Sequence, residues 1–597
     1  MCGIAGQVGG MDARAQPMIE ALAHRGPNGI RFETGPAAAL AHARLSIIDL
    51  EGGWQPLHAA GSTIVGNGEI YNYVELASDH GLEGELSTGS DFEPLLHLYA
   101  REGEAAFTRL RGMYAFCLVG GDGRTWLARD PFGIKPLYIM QHAGGLAFAS
   151  EPRAFFQARL MGAVADDEAA GELLAFNYTL GTRTPFQGLR RLAPGEVIQV
   201  RDGHIVANWR QPWLVKTPQI VPANAGTQAE SAQSAPPSPP SDRPMGPDFR
   251  RDERSLLDQL DAVLEDSVRV HQRSDVPYGL FLSGGIDSTT IATLMARLNA
   301  RPVTAFTCGF DAPKDGKGGA ADERAQAERV ARALDLDWRE TRFGEEDFWR
   351  IAPQVAWALD DPTADYATLP TYKLAEGAKG TLTVVLTGEG GDELFGGYGR
   401  YRRALRPAWL GGRPAEPRGA DPAALARWRA EARGPEGLTH LQRAQWADIQ
   451  TWLPNDLLLK LDRCLMAHGL EGRTPFLDPA VAAFAFPLAD RFKVRGRYGK
   501  WLLRKWLERA CPAADPWARK QGFTVPVEAW IAPKAGDIAA RIGQVEAVRR
   551  LRPDAAEAFR SETQGQRWPL LFFALWARIH LEGATPAEAL ESVAGKV

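Results

Sequence analysis

The sequence predicts two folded halves of different class, an α+β half followed by a parallel α/β half that ends in a mostly helical region. Three observations carry this. The chain has 597 residues, about four times the ~150 of a typical domain, so several cores are expected. From Thr217 to Pro247 it is dominated by Pro, Ala, Ser, Gln and Gly with no aromatic residue, a composition that cannot bury a core and reads as a spacer or inserted loop. The hydrophobic rhythm also changes across that break.

Before the break, β-rich runs at Ala39 to Ile48, Ser62 to Val65, Met113 to Val119 and Thr125 to Ala128 alternate with Gly and Pro turns. Helical stretches fall at Ala15 to His24 and Phe92 to Arg101, which gives the α+β pattern. After it, apolar strands alternate with amphipathic helices: Tyr278 to Leu282, Ser288 to Leu298, Val303 to Cys308, Glu323 to Leu334, then Leu382 to Leu386. That alternation predicts a parallel sheet. From about Ala404 onward Ala, Leu, Arg and Trp recur at helical spacing. The expected divisions are residues 1–213, a Pro-rich linker or insertion at 214–250, and residues 251–597.

Composition narrows the function. Hydrophobic residues make up 45% and charged residues 24%, the globular average. The 68 basic and 73 acidic residues give a net charge of −5, which supplies no footprint for nucleic acid or an anionic membrane. The apolar run Trp568 to Ala577 is half the ~20 residues of a membrane span and reads as a core helix. The five cysteines are scattered with no C-x-x-C pair, so neither a disulfide framework nor a zinc site is expected and a cytoplasmic setting fits. No basic and apolar leader opens the sequence. The oligomeric state stays open, a homodimer among the options.

Two loops are candidates for phosphate chemistry. Phe281-Leu282-Ser283-Gly284-Gly285-Ile286-Asp287-Ser288 runs from an apolar strand into a helix, where backbone N–H groups, two glycines and two hydroxyls favour a phosphate. Asp287 implies an intervening cation, magnesium by its oxygen chemistry. The chain has no Walker motif, so the loop is expected to hold pyrophosphate. A second strand ends in Leu386-Thr387-Gly388-Glu389-Gly390-Gly391-Asp392-Glu393. Three carboxylates among glycines repel one another unless a metal and a charged ligand offset them. Both loops occupy the carboxyl ends of strands, where open parallel sheets bind ligands. Lys520 could add positive charge there.

At the other end, Cys2 and Gly3 permit removal of Met1, which would put an α-amine of pKa about 7.7–8.0 beside a thiol of about 8.5. One residue would then supply nucleophile and base. Asn67-Gly68-Glu69 offers an amide and an N–H for an oxyanion. Arg44 could clamp a carboxylate and Asp91 pair with an ammonium.

With these residues in place, the chain resembles the glutamine-dependent asparagine synthetases over nearly its full length. Met1-Cys2-Gly3-Ile4, His24-Arg25-Gly26-Pro27, Arg44-Leu45-Ser46-Ile47, Asn67 to Asn72 and Thr88-Gly89-Ser90-Asp91 are similar to the class II, N-terminal-nucleophile glutaminase domain, which implies a two-sheet sandwich flanked by helices. Ser283 to Ser288, Thr387 to Glu393, and Lys460 to Asp478 are similar to the ATP-pyrophosphatase synthetase domain. The resemblance implies Cys2 as nucleophile, Asn67 and the Gly68 N–H as oxyanion hole, and Arg44, Ile47, Asn67, Glu69 and Asp91 around glutamine. For ATP it implies Phe281, Ser283, Gly284, Gly285, Asp287, Ser288, Cys308, Thr387 and Gly388, with Asp287 and Asp392 on magnesium and Glu389 and Lys520 at the acyl-adenylate step. Asn28 departs from the family's usual aspartate, and Cys464-Leu465 interrupts a block that is usually more polar. The acceptor pocket is expected partly within Asp360 to Pro370. The implied activity is ATP-dependent amidation of aspartate with ammonia from glutamine. The alternatives are the same amidation of another carboxylate, as in macrolactam-forming and sugar- or metabolite-amidating relatives, and an inactive regulatory relative.

Overall fold

The computed structural model describes residues 2–9, 14–214, 247–310, 324–406, 408–410, 412, 416–417, 422–518, 525–561 and 567–595. The Pro-rich stretch 215–246 and Lys520 lie outside the described residues.

In the first half, two antiparallel six-stranded sheets stack face to face. One has the order Arg190–Arg191, Tyr138–His142, Gly145–Ala149, Gly3–Val8, Ala38–Arg44, Gly29–Thr34. The other runs His204–Arg210, Glu196–Arg201, Thr125–Arg129, Gly112–Val119, Ser62–Ile70, Leu57–Ala59. Side chains alternate between the faces of a strand, and the alternation is legible along Gly3–Val8. Ile4 and Val8 join Leu40, Val65, Cys117, Leu127 and Phe148 between the sheets. Ala5 turns outward, with Ala39, Ala41 and Ala43 of the neighbouring strand. Those small residues let helix Ala15–Glu20 lie close, its Met18 and Ile19 fully buried on them. The second sheet's outer face, Tyr114, Phe116, Leu118 and Trp126, is covered by Leu95, Leu96 and Tyr99 of helix Glu93–Glu102.

The second half holds a five-stranded, wholly parallel sheet in the order Asp337–Phe343, Thr304–Phe310, Tyr278–Phe281, Val384–Leu386, Glu471–Arg473. Helices Ile286–Leu298 and Arg324–Ala333 make the first crossovers. The chain first adds strands on one side of Tyr278–Phe281, then returns to its other side with Val384–Leu386. This reversal opens a crevice at the carboxyl ends of those two strands.

Three sequence expectations need correction. Strand Ser62–Ile70 runs beyond Val65, so Asn67, Gly68 and Glu69 lie within it rather than after it. The region after Ala404 is mostly helical but contributes the edge strand Glu471–Arg473. Three residues with charged ends carry no readable hydrophobic period; pairing with Val384–Leu386 makes them a strand. The helix after the Pro-rich stretch begins at Pro247, inside the expected linker.

The halves share one apolar core, in which Leu45, Ile47, Tyr71, Met113 and Phe132 of the first pack with Leu260, Leu264, Leu453 and Phe476 of the second. Trp213 sits among Phe132, Trp446 and Phe486 at centroid distances of 5.8, 5.2 and 5.0 Å. Among the described residues, no helix is long and apolar enough to cross a membrane.

Candidate active site

Cys2 stands at the head of the buried strand Gly3–Val8. Its backbone N–H donates to Asn67 Oδ1 at 3.2 Å, its thiol points to Leu45 O at 3.8 Å, and Arg25 Nε donates to its carbonyl at 3.1 Å. Burial pushes the thiol above its ordinary pKa, so it rests protonated and needs a base to become a nucleophile. With Asn67 Oδ1 taken, Asn67 Nδ2 is buried and has no acceptor among the described residues. An amide donor left so beside a thiol is what a developing oxyanion requires. Next to it Gly68 has φ +136°, and a Cβ there would lie 1.9 Å from Met113 O. Only glycine allows this close approach of strand to strand.

Cys2, Arg44, Ile47, Gly68, Glu69 and Asp91 line one small cavity, closed by Glu471 from the second half. Local structure fixes each of them. Arg44 ends strand Ala38–Arg44, and its guanidinium is held by Asp49 O at 2.5 Å and Leu50 O at 3.2 Å, 4.8 Å over the Trp54 ring. The Ile47 carbonyl accepts from Asp275 N–H at 2.9 Å, which leaves its second lone pair for a ligand. Glu93, at the start of its helix, accepts from Ser87 N–H and Thr88 N–H at 2.7 Å each and so shapes the turn that presents Asp91. Asp91 Oδ2 accepts from Ile70 N–H at 2.8 Å, while burial pushes its carboxyl up to about 7. Burial and the neighbouring Asp91 also raise Glu69, against the pull of Arg473. Asn28 keeps the acceptor its position needs: Asn28 Oδ1 takes Ser46 N–H at 3.0 Å.

In the second half, Phe281 ends its strand and the loop Ser283 to Gly285 leads into helix Ile286–Leu298. Ser288 Oγ is 3.0 Å from Ser283 Oγ and accepts from Ser283 N–H at 3.2 Å, while Gly285 N–H donates to Ser283 Oγ at 3.2 Å. Gly284, at φ +74°, leaves no room for a side chain against Gln326 and Ala327. The second acidic loop meets the first directly, since a Cβ on Gly388 would come within 2.8 Å of Asp287 Cβ, and one on Gly391 within 2.5 Å of Asp287 Oδ1. Glycines there let two carboxylate loops share one crevice. Thr387 donates its N–H to Arg473 O at 2.9 Å. Glu389 is half-buried, and burial raises its pKa against the charge of Lys460. Cys308 lies on the neighbouring strand, two residues beyond Phe306, which pairs with Phe281. Burial pushes its thiol up to about 12, which keeps it protonated near neutral pH.

Four further residues belong to this architecture: Lys500, which sequence reasoning missed, and Lys460, Glu471 and Arg473, which stood in the Lys460 to Asp478 block with no role assigned. Lys500 Nζ bridges Asp287 Oδ2 and Asp392 Oδ1, the latter at 2.7 Å. Its signal was the Arg495-Gly496-Arg497-Tyr498-Gly499-Lys500 loop before helix Trp501–Ala510. Lys460 pairs with Asp365 at 2.8 Å. Glu471 and Arg473 reach the first half from the edge strand. In the expected acceptor segment, Asp360 and Asp361 instead pair across the halves with Arg153 and Arg191, and Asp360 also pairs with Arg463 of its own half.

The two carboxylates fit magnesium: they converge on one cation, Lys500 Nζ, at the phosphate loop. Among the described residues no group of three or more His, Cys, Asp or Glu gathers to hold a metal. Oxygens of a bound phosphate would complete the shell, as magnesium commonly requires.

A thiol beside a buried amide donor at a small cavity, on one chain with two glycine-rich acidic loops at the ends of parallel strands, is the arrangement expected of an amidotransferase coupled to an ATP-using ligase. The sequence comparisons agree half by half. Residues 1–213 match the glutamine amidotransferase domain family and residues 259–578 the asparagine synthase family. Asparagine synthetase (glutamine-hydrolysing) 1 of Bacillus subtilis (strain 168) is 31% identical over 654 residues, covering 98% of this chain and 97% of that one. A putative asparagine synthetase (glutamine-hydrolysing) of Mycobacterium tuberculosis (strain ATCC 25618 / H37Rv) is 33% identical over 660 residues, covering 96% and 94%. Asparagine synthetase B (glutamine-hydrolysing) of Escherichia coli (strain K12) is 27% identical over 526 residues, covering 86% and 78%. This chain belongs to the glutamine-hydrolysing asparagine synthetase family.

Proposed function

We propose that the protein makes asparagine from aspartate, glutamine and ATP, releasing glutamate, AMP and pyrophosphate. The observation that carries the glutaminase half is Asn67, which holds the Cys2 nitrogen with one end of its amide while the other end has no acceptor among the described residues. With Met1 removed, the Cys2 α-amine takes the thiol proton, and the thiolate attacks the side-chain carbonyl of glutamine. Asn67 Nδ2 and the Gly68 N–H receive the oxyanion, ammonia leaves, and water cleaves the thioester to glutamate. Arg44 and Asp91 hold the α-carboxylate and α-ammonium, with Glu69 and the Ile47 carbonyl beside them.

In the second half the Ser283 to Ser288 loop takes the departing pyrophosphate, and Phe281, Cys308 and Gly388 border the nucleoside. The β-carboxylate of aspartate attacks the α-phosphorus, which converts a poor electrophile into an acyl-adenylate; ammonia then displaces AMP. Magnesium held by Asp287 and Asp392 would supply charge neutralisation for the phosphates. Lys500 adds a fixed positive charge at the same place. Glu389, with Lys460 and Asp365 nearby, lies on the acceptor side of the crevice, and Lys520 is assigned to the adenylate step. The reaction belongs in a cytoplasmic setting.

The test is a product screen by mass spectrometry with glutamine, ATP, magnesium and a panel of carboxylic acids. Asparagine and AMP from aspartate are expected. Amidation of a different acid, with aspartate untouched, would overturn the acceptor assignment.

A further inference from the structure

The glutamine cavity is not built by the first half alone. Glu471 lines it, and Arg473, two residues along the same edge strand, is fully buried behind Glu69. Arg473 Nη2 donates to Glu69 Oε1 at 3.1 Å and Nε to Glu471 Oε1 at 2.7 Å. Nη1 donates to two backbone carbonyls at the end of helix Pro247–His271, His271 O at 2.9 Å and Arg273 O at 2.7 Å. A planar guanidinium with four such bonds has one orientation, which an ammonium cannot reproduce. Its backbone carbonyl meanwhile accepts from Thr387 N–H at 2.9 Å, at the start of the acidic nucleotide loop. One residue of the second half therefore fixes a side chain of the glutamine cavity through its guanidinium and the ATP loop through its carbonyl.

We infer that Arg473 is a positioning residue for glutamine, completing the cavity from the synthetase half by holding the Glu69 carboxylate in place. The inference rests on the reading of the Cys2 cavity as the glutaminase site. Arg473 does not touch the reacting atoms, so its loss weakens glutamine binding more than turnover.

The experiment uses the full chain carrying Arg473→Lys, which keeps the buried positive charge and the carbonyl to Thr387 but loses the fork. The glutamine KM should rise about tenfold or more, with glutaminase kcat within about threefold of parental. Synthesis driven by added ammonium should stay within about twofold, because the Thr387 anchor is backbone. The second variant is Glu69→Gln, which breaks the same pair from the other side and is nearly isosteric. If Arg473 acts through Glu69, the double variant has the glutamine KM of the worse single variant. A glutamine KM within twofold of parental in Arg473→Lys overturns the inference. Ammonium-driven synthesis falling in proportion to glutaminase does so too, as does a double variant whose KM multiplies the two single effects. A parental protein that releases no glutamate from glutamine contradicts the glutaminase reading itself, whereas an active parent with an indifferent variant contradicts the positioning role alone.

Discussion

Asn67 faces two ways: its Oδ1 accepts from the Cys2 nitrogen and its buried Nδ2 has no acceptor among the described residues. Asn67→Ala should lower glutaminase turnover by about 10²–10³, the cost of one oxyanion donor, measured as glutamate release at saturating glutamine. Asp91 makes a pH prediction. Burial pushes its carboxyl up to about 7, so below that pH it must lose a proton before it can pair with an α-ammonium. The glutamine KM should therefore rise on acidification below pH about 7, by up to about tenfold per unit. A glutamine KM flat from pH 6 to 8 would contradict the assignment. The expectations for Cys2, Asn67, Gly68 and Asp91 come from short strings of sequence, and the structure brings Cys2, Gly68 and Asp91 to one cavity with Asn67 against the Cys2 nitrogen. Lys500 was not singled out, and Arg473 stood in a matched block without a role, since each matters for what it meets in the fold, Asp287 and Asp392 for one and Glu69 for the other.

At the scale of elements, the reversal of strand order beside Tyr278–Phe281 brings two glycine-rich acidic loops into contact. The two main strands were readable, being apolar runs with turn residues at their ends. The edge strand Glu471–Arg473 was not, because its backbone pairing and not its hydrophobicity makes it a strand. Asp287→Asn and Asp392→Asn should each slow ATP–pyrophosphate exchange by about 10- to 100-fold, the loss of one charged interaction of about 1.5–3 kcal/mol. Glutamine hydrolysis should stay within a few-fold. Exchange at parental rates in either variant would separate that carboxylate from the nucleotide site.

For the whole molecule, the contact between halves is ionic as well as apolar, and buried around Arg25 and Arg463. Arg25 joins Glu151 at 2.7 Å and Asp462 at 2.8 Å, and Arg463 joins Glu151 at 2.8 Å and Asp360 at 3.3 Å. Arg111 reaches Asp478 at 2.8 Å and Asp266 at 2.7 Å. No local pattern could announce these partners, Arg25 and Asp462 being 437 residues apart. Asp462→Ala leaves the Arg25 charge buried with one carboxylate fewer, and should cost about 3–5 kcal/mol, read as an earlier first transition in urea. Burial opposes ionisation of Asp462, but Arg25 overcomes it and lowers the pKa. That stabilisation is complete above the unfolded value of about 3.9 and disappears as pH falls through the depressed folded value. The parental protein should lose stability in that acid range, and Asp462→Ala should show a smaller loss there.

The joined halves make one claim together: ammonia freed at Cys2 is consumed in the second crevice. Cys2→Ala, assayed for asparagine with glutamine and separately with ammonium as nitrogen donor, tests it most directly. The account predicts no product from glutamine and near-parental product from ammonium. Product from glutamine at the parental rate would contradict it.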